Sequence, residues 1–344
     1  MLHVFIINSH TTFLTAMGTV NYLHLKNDEV VFLYMRNYKN TITPVPFKIF
    51  DITLLFNKIQ SKWNTPSFTN RQLISEADAF ILLNIKEKYC LYVPHLWAVT
   101  FQIFYTHSLC KKISYIQEGA ICQKKVFIVN RPFFAKLRLF FKLRFLKFRT
   151  FDGCWFIAGS IYKQKHLDSF AINNHYFENL PSRNHIIKWP VIKLDKYFNA
   201  KFFFFIFDGF VGNHIAENDI YINNCYRIIN KYATTNNYIK FHPEQSQSER
   251  DLIIKAFQKK GVQWEILEDS IPMEYIILST QKMTFIGFGS SLLHYAKDLN
   301  HNVICHDDWM MESSSLFREH HHKYGLSLFK EIYNEKSLLP KESC

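Results

Sequence analysis

The chain has no Cys-x-x-Cys pair: its seven cysteines, at positions 90, 110, 122, 154, 225, 305 and 344, are odd in number and scattered. That pattern argues against a disulfide framework and a structural zinc site, and it suits a reducing compartment. No segment approaches the roughly eighteen apolar residues that a membrane-spanning helix needs. The amino terminus, Met1-Leu2-His3-Val4-Phe5-Ile6-Ile7-Asn8, is too short in its apolar part for a signal peptide and reads as a first buried strand. Gly-x-Gly-x-x-Gly and Gly-x-x-x-x-Gly-Lys are both missing, which removes the dinucleotide fingerprint and the P-loop. There is no low-complexity tract, no internal repeat, and no RRM, KH or zinc-finger signature. Disorder and the common nucleic-acid modules are set aside on these grounds.

What remains is a long, aromatic and basic chain. At 344 residues it exceeds a single core and suits two domains, which create a cleft. Its 34 Phe and 18 Tyr, with abundant Asn, Lys and Ile, match what an AT-rich coding sequence yields and carry little functional weight. The net charge of +12 is more informative, because it favours anionic partners: nucleic acid, nucleotide phosphates or an acidic membrane surface. The compartment read from these features is the cytoplasm, with a peripheral contact to the inner membrane.

Strand and helix signals alternate along the chain, the mark of an α/β fold. Strand 4–7, helix 11–25 and strand 30–34 open it as a βαβ unit. Elements at 49–57 and 79–85, a helix near 96–106 and strand 112–116 follow. Trp189-Pro190 begins a connection, so the expected division is an acceptor-side Rossmann-like domain over 1–195 and a nucleotide-sugar-binding one over 196–344. The second domain reads as strand 202–207, helix 220–232, strand 238–241, helix 249–259, strand 262–266, helix 273–278, a strand into Gly289, its helix, and strand 303–306.

Three clusters carry chemistry. Tyr238-Ile239-Lys240-Phe241-His242-Pro243 brings Lys240 and His242 to the end of a strand that Pro243 stops. About fifty residues on, Gly289-Ser290-Ser291 closes another strand: the glycine allows a tight turn, and the serines offer hydroxyls and amides at a helix start suited to an anion. Glu118, in Gln117-Glu118-Gly119 at the end of strand 112–116, can project into a cleft where burial would make it a base. Taken singly, each is also an ordinary turn or cap. Adjacent His320, His321 and His322 point different ways without acidic companions, which reads as a solvated helix surface and not a metal site. Segment 131–150 interleaves Arg131, Lys136, Arg138, Lys142, Arg144, Lys147 and Arg149 with Phe133, Phe134, Phe140, Phe141, Phe145 and Phe148. That chemistry suits anionic head groups or phosphates, and a helix or hairpin packing its Phe inward is the equal alternative.

The order of these motifs resembles the bacterial sialyltransferases of GT-B fold, which carry an acidic-acidic-Gly motif, a His-Pro motif and a paired Ser/Thr motif. The nearest likeness is glycosyltransferase family 52, with the polysialyltransferases more distant. The resemblance implies two Rossmann-like domains facing a central cleft, and an inverting transfer of sialic acid from CMP-sialic acid to a sugar hydroxyl, such as galactose of lipooligosaccharide. It implies no metal and no cofactor, and Asp-x-Asp, a common divalent-metal holder in nucleotide-sugar transferases, is missing. Carried over by position, His242 assists departure of CMP while Ser290 and Ser291, with Lys240, Pro243 and Gly289, hold its phosphate. Glu118 or Asp219 is the base, with Asp208 a weaker candidate; Gln117 departs from the acidic pattern. The partners expected are the CMP-sialic acid donor, a glycan or glycolipid acceptor and a membrane surface touched by 131–150, with no nucleic acid. The alternatives are another GT-B glycosyltransferase with a different nucleotide sugar, and a basic nucleic-acid or membrane-surface binding protein.

Overall fold

The computed structural model describes residues 1–40, 44–62, 68–119, 134, 137, 141, 167–178, 180, 182–194, 198–280, 282–324 and 326–334. Segment 131–150 therefore lies outside the described residues, apart from helical positions 134, 137 and 141. The chain divides into two compact units, Met1–Pro190 and Val191–Cys344.

The first unit is built on a seven-stranded sheet: β1 (Leu2–Ile7), β2 (Val30–Tyr34), β3 (Lys48–Asp51), β4 (Tyr89–Val93), β5 (Cys110–Ile116), β6 (Leu167–Ala171) and β7 (Ser182–Ile186), in the order β3-β2-β1-β4-β5-β6-β7. Every neighbouring pair is parallel. The helices are α1 (His10–Tyr22), α2 (Thr53–Lys62), α3 (Phe68–Asn84) and α4 (Val99–Thr106). Strands β2 and β4 are buried at every position, as a parallel sheet covered on both faces requires. Gly18 lets α1 approach the chain leaving β7: a Cβ there would sit 2.6 Å from the Lys188 carbonyl oxygen.

Three details differ from the sequence reading. Residues 49–57 are not one element, because the Asp51 carboxylate accepts the Thr53 N–H at 2.8 Å, ending β3 and starting α2. Residues 79–85 are the closing turns of the longer α3. Strands β4, β6 and β7 were not anticipated; β7 is a polar, half-exposed edge strand with the sequence Ser-Arg-Asn-His-Ile, which lacks the alternation that marks strands.

The second unit carries β8 (Phe203–Phe207), β9 (Asn236–Phe241), β10 (Gln263–Ile266), β11 (Thr284–Gly287) and β12 (Asn302–Cys305), all parallel in the order β10-β9-β8-β11-β12. Its helices are α5 (Asn218–Tyr232), α6 (Gln247–Lys260), α7 (Met273–Ser279), α8 (Ser291–Asp298), α9 (Asp307–Ser313), α10 (Ser315–Tyr324) and α11 (Phe329–Asn334). Phe205, Phe207, Ile239, Phe241 and Ile286 of the sheet bury against Tyr221, Cys225 and Ile228 of α5 and Ile253 and Phe257 of α6. Each such Phe contributes about 1.5–3 kcal/mol of transfer free energy. Helix α6 shows local and tertiary signals agreeing: a Ser246–Glu249 capping box opens it and Gly261, at φ 70°, closes it.

In each sheet the connections run in opposite directions from the first strand of the unit, β1 between β2 and β4, and β8 between β9 and β11. Such switch points, at the carboxyl ends of parallel strands, are where open α/β sheets bind ligands. Gly287 lets β11 reach β8 beside one of them: a Cβ on it would lie 2.7 Å from the Ile206 carbonyl oxygen. Gly287→Ala should therefore cost about 1–3 kcal/mol by forcing the two strands apart. A melting temperature equal to that of the wild type would contradict this.

Candidate active site

In the second unit, His242 and Pro243 leave β9, Asp208 and Gly209 leave β8, and Gly289 and Ser290 leave β11. The His242 N–H donates to the Phe207 carbonyl at 2.9 Å and to Gln245 Oε1 at 3.0 Å. Pro243 fixes the turn that brings the Glu244 N–H back onto His242 Nδ1 at 3.2 Å. With Nδ1 accepting, the neutral ring carries its proton on Nε2, which is left to donate. Arg250 Nη2 holds the His242 carbonyl at 3.0 Å and pairs with Asp269 at 3.3 Å. Burial pushes the imidazole below its ordinary pKa, with Glu244 opposing and Arg250 assisting. The ring lies on Gly209: a Cβ there would fall 2.8 Å from Nδ1.

Asp208 stands beside that glycine. Its N–H donates to the Tyr221 hydroxyl at 2.9 Å, and its Oδ2 is buried without a hydrogen-bond partner among the described residues. Burial raises its carboxyl to about 7, against the Ser290 hydroxyl, which donates to it. Ser290 is the N-cap of α8, accepting the Leu292 N–H at 3.3 Å, and Ser291 is the first residue of that helix. His242, Asp208 and Ser290 thus meet across the ends of three adjacent strands. Asp307, after β12, is a carboxylate the sequence reading did not single out. It is buried next to Gly289 and accepts the Phe329 N–H at 2.6 Å, which ties α11 down.

Several anticipated residues are placed differently. Lys240, the penultimate residue of β9, is buried, and its ammonium is spent on the carbonyls of Glu268 at 2.5 Å and Ile271 at 3.1 Å in the turn after β10. Gly289 is not in the left-handed region, and a Cβ there would only touch Asp307 at 3.4 Å; the glycine that close packing demands is Gly287. Asp219 is exposed in the first turn of α5, bonded by Asn218 Nδ2 at 3.3 Å. Glu217 before it caps α10 through the N–H groups of Ser315 and Leu316, and the Ser314 and Ser315 hydroxyls hold its carboxylate down at about 2. Of the three adjacent histidines, His321 is buried with its ring 4.4 Å from that of Phe317, so that helix surface is not uniformly solvated.

In the first unit Glu118 follows β5, and Gly119 beyond it adopts φ 57°, turning the chain. Gln117 is fully buried and accepts the Ile172 N–H at 2.9 Å on Oε1, a strut between the exits of β5 and β6. That structural duty accounts for an amide where the motif pattern has an acid, and leaves Glu118 as the carboxylate at the edge. Asn8 Nδ2 donates to Glu118 Oε1 at 2.5 Å, Arg36 Nη1 stands 4.0 Å from the same oxygen, and His95 Nε2 is 3.5 Å from Oε2. Burial raises the Glu118 pKa, with Arg36 and the Asn8 bond pulling it back. None of these three neighbours was visible in the sequence as a site residue.

Two parallel-sheet Rossmann-like units with polar residues gathered at their switch points define an α/β protein with two ligand-binding sheet edges. The family model for alpha-2,8-polysialyltransferases (POLYST) matches residues 4–305, and the chain belongs to that family. It is accordingly a sialyltransferase-type glycosyltransferase, working on a nucleotide-sugar donor and a glycan acceptor. The family reached is the one the motifs had placed further off than family 52. No curated protein matches the sequence. Among solved structures the chain is similar to S. aureus MnaA in complex with UDP (11% identity, 98% of this chain and 87% of that one, TM-score 0.47). It is also similar to Acinetobacter baumannii MurG (10%, 94% and 91%, 0.39) and the spinosyn rhamnosyltransferase SpnG (10%, 88% and 80%, 0.40). Among the described residues no helix is long and apolar enough to cross a membrane.

The raised Asp208 carboxyl has a measurable linkage. An acid with a native pKa of about 7 and an unfolded value near 3.8 loses stability as pH rises between the two, because only the unfolded state releases the proton. Asp208→Asn should therefore gain stability over the wild type progressively from pH 4 to pH 7 and level off above. A pH-independent difference between their melting temperatures would show that Asp208 ionises normally.

Proposed function

We propose that the enzyme transfers sialic acid from CMP-sialic acid to a glycan hydroxyl with inversion at the anomeric carbon and without a metal. The observation that carries this reading is the His242 turn, which fixes an imidazole N–H donor beside the start of α8 in a chain whose family acts on sialic acid. As the bond from the anomeric carbon to the phosphate oxygen breaks, its electron pair leaves with CMP. The charge that develops there is met by His242 Nε2–H and by the amides of Ser290 and Ser291 at the start of α8, the Ser290 hydroxyl being donated to Asp208. Donors fixed in place before reaction stabilise such charge most. Lys240, spent on carbonyls, takes no direct part.

The acceptor hydroxyl gives its proton to a base while its oxygen lone pair forms the new bond to the anomeric carbon. Glu118 supports that role better than Asp219: it is shielded, raised by burial and held by donors, whereas Asp219 is solvated. The family description specifies an α-2,8 bond, which puts the acceptor hydroxyl on a sialic acid; a galactose terminus of a surface glycan such as lipooligosaccharide is the second acceptor to compare. The basic, Phe-rich segment 131–150 would give a cytoplasmic enzyme its peripheral membrane contact.

Turnover of CMP-sialic acid should be measured with a sialylated and a galactose-terminated acceptor. His242→Ala should lose roughly a hundredfold or more in kcat. A folded His242→Ala enzyme with normal turnover would remove the imidazole from the reaction. Glu118→Gln should abolish transfer while CMP affinity stays normal, and Asp219→Asn should leave both nearly unchanged. The reverse result would move the base to Asp219.

A further inference from the structure

The turns after β1, β2, β4 and β5 come from widely separated parts of the sequence, yet they converge on one carboxylate. Asn8, Arg36 and His95 each face an oxygen of Glu118, whose side chain is 17% exposed. Two of the three are themselves fixed by neighbours. The Asn8 amide is oriented because its Oδ1 accepts the fully buried Thr12 hydroxyl at 3.1 Å, and its N–H donates to the same oxygen at 3.1 Å. Thr12 is in turn locked in the Ser9 capping box that opens α1. His95, nearly buried, accepts the Trp97 N–H on Nδ1 at 3.1 Å, so its neutral ring presents Nε2–H to Glu118. Arg36 sits at φ 56° with half its side chain in solvent and its guanidinium 5.9 Å from the Phe56 ring.

We propose that Asn8 and His95 are positioning residues for Glu118 and that Arg36 tunes its charge: the first two face its two oxygens with N–H groups and aim it at the hydroxyl of the incoming sugar. This deepens the reading above and rests on Glu118 being the base. A glutamate left to its own rotamers spends most of its time misdirected, and a displacement of about an ångström at a reacting atom can cost a hundredfold. Asn8 and His95 remove that freedom from opposite sides. Arg36 acts differently. Its charge favours the ionised carboxylate against the burial that disfavours it, so that the base is empty of its proton when the hydroxyl arrives. Among the described residues, the charged and titratable groups that bear on Glu118 include Arg36, from the turn after β2, and His95, from the turn after β4.

The test is the pH dependence of kcat/KM for CMP-sialic acid transfer, together with kcat and the affinity for CMP. Asn8→Ala and His95→Ala should each lower kcat about ten- to a hundredfold with CMP affinity unchanged, and His95→Gln, which restores an N–H donor, should recover most of the loss. Arg36→Met should move the acidic limb of the profile to higher pH, since the base then holds its proton more tightly, while Arg36→Lys keeps it near the wild type. Arg36 is exposed enough that its variants bear on the site even if an Asn8 or His95 variant fails to fold. If Glu118→Gln is inactive but the Arg36→Met limb does not move, or folded Asn8→Ala and His95→Ala enzymes turn over normally, the positioning role is overturned and the base assignment stands. Full activity of Glu118→Gln would instead overturn the base assignment and the positioning role with it.

Discussion

Within each sheet every pair of neighbouring strands is parallel, and that single constraint places the chemistry. A parallel strand ends with backbone groups that its neighbours no longer satisfy, so each carboxyl end must finish in a polar turn. Where consecutive connections diverge, beside β1 and again beside β8, those turns are not covered by a crossing helix. The apolar interior, from Val4–Ile7 in one unit to Phe204–Phe207 in the other, serves to hold the strands in register so that their ends stay within hydrogen-bonding distance.

The two strand-end clusters use the same materials to opposite effect. Glu118 and Asp208 are both raised by burial, but among the described residues Asn8, Arg36 and His95 bring nitrogen donors to Glu118, whereas Asp208 receives a serine hydroxyl. Two unit charges 4 Å apart attract by about 4 kcal/mol at an effective dielectric near 20. Arg36 at 4.0 Å is half exposed, so solvent removes a good part of that. The remainder, with the Asn8 bond, still opposes desolvation at Glu118. Among the described residues no cation pairs with Asp208, and burial raises its carboxyl to about 7. One carboxyl is arranged to accept a proton, and the other to keep one.

The sequence displayed the strands with dense apolar runs and the helices with clear caps, since both signals are local. Strand β7 was hidden because an edge strand need not alternate, and β4 because five buried residues between Lys88 and Pro94 look equally like a helix fragment. His242, Ser290 and Glu118 stood out through motif order. Asn8, Arg36 and His95 did not: each is an ordinary turn residue until strand order puts β2, β1, β4 and β5 side by side. The partners of Lys240 were hidden for a related reason, because the sequence does not show which loop carbonyls lie over a strand. Gln117 looked like a defect in a motif and is a strut.

His95 and His242 share one local device, a backbone N–H two residues on that donates to the ring's Nδ1. An imidazolium has no lone pair to receive that hydrogen bond. Charging either ring therefore does more than add a positive charge, since it evicts the N–H of Trp97 or Glu244 and releases the turn it fastens. Each histidine is thus a latch whose closed position is the uncharged one.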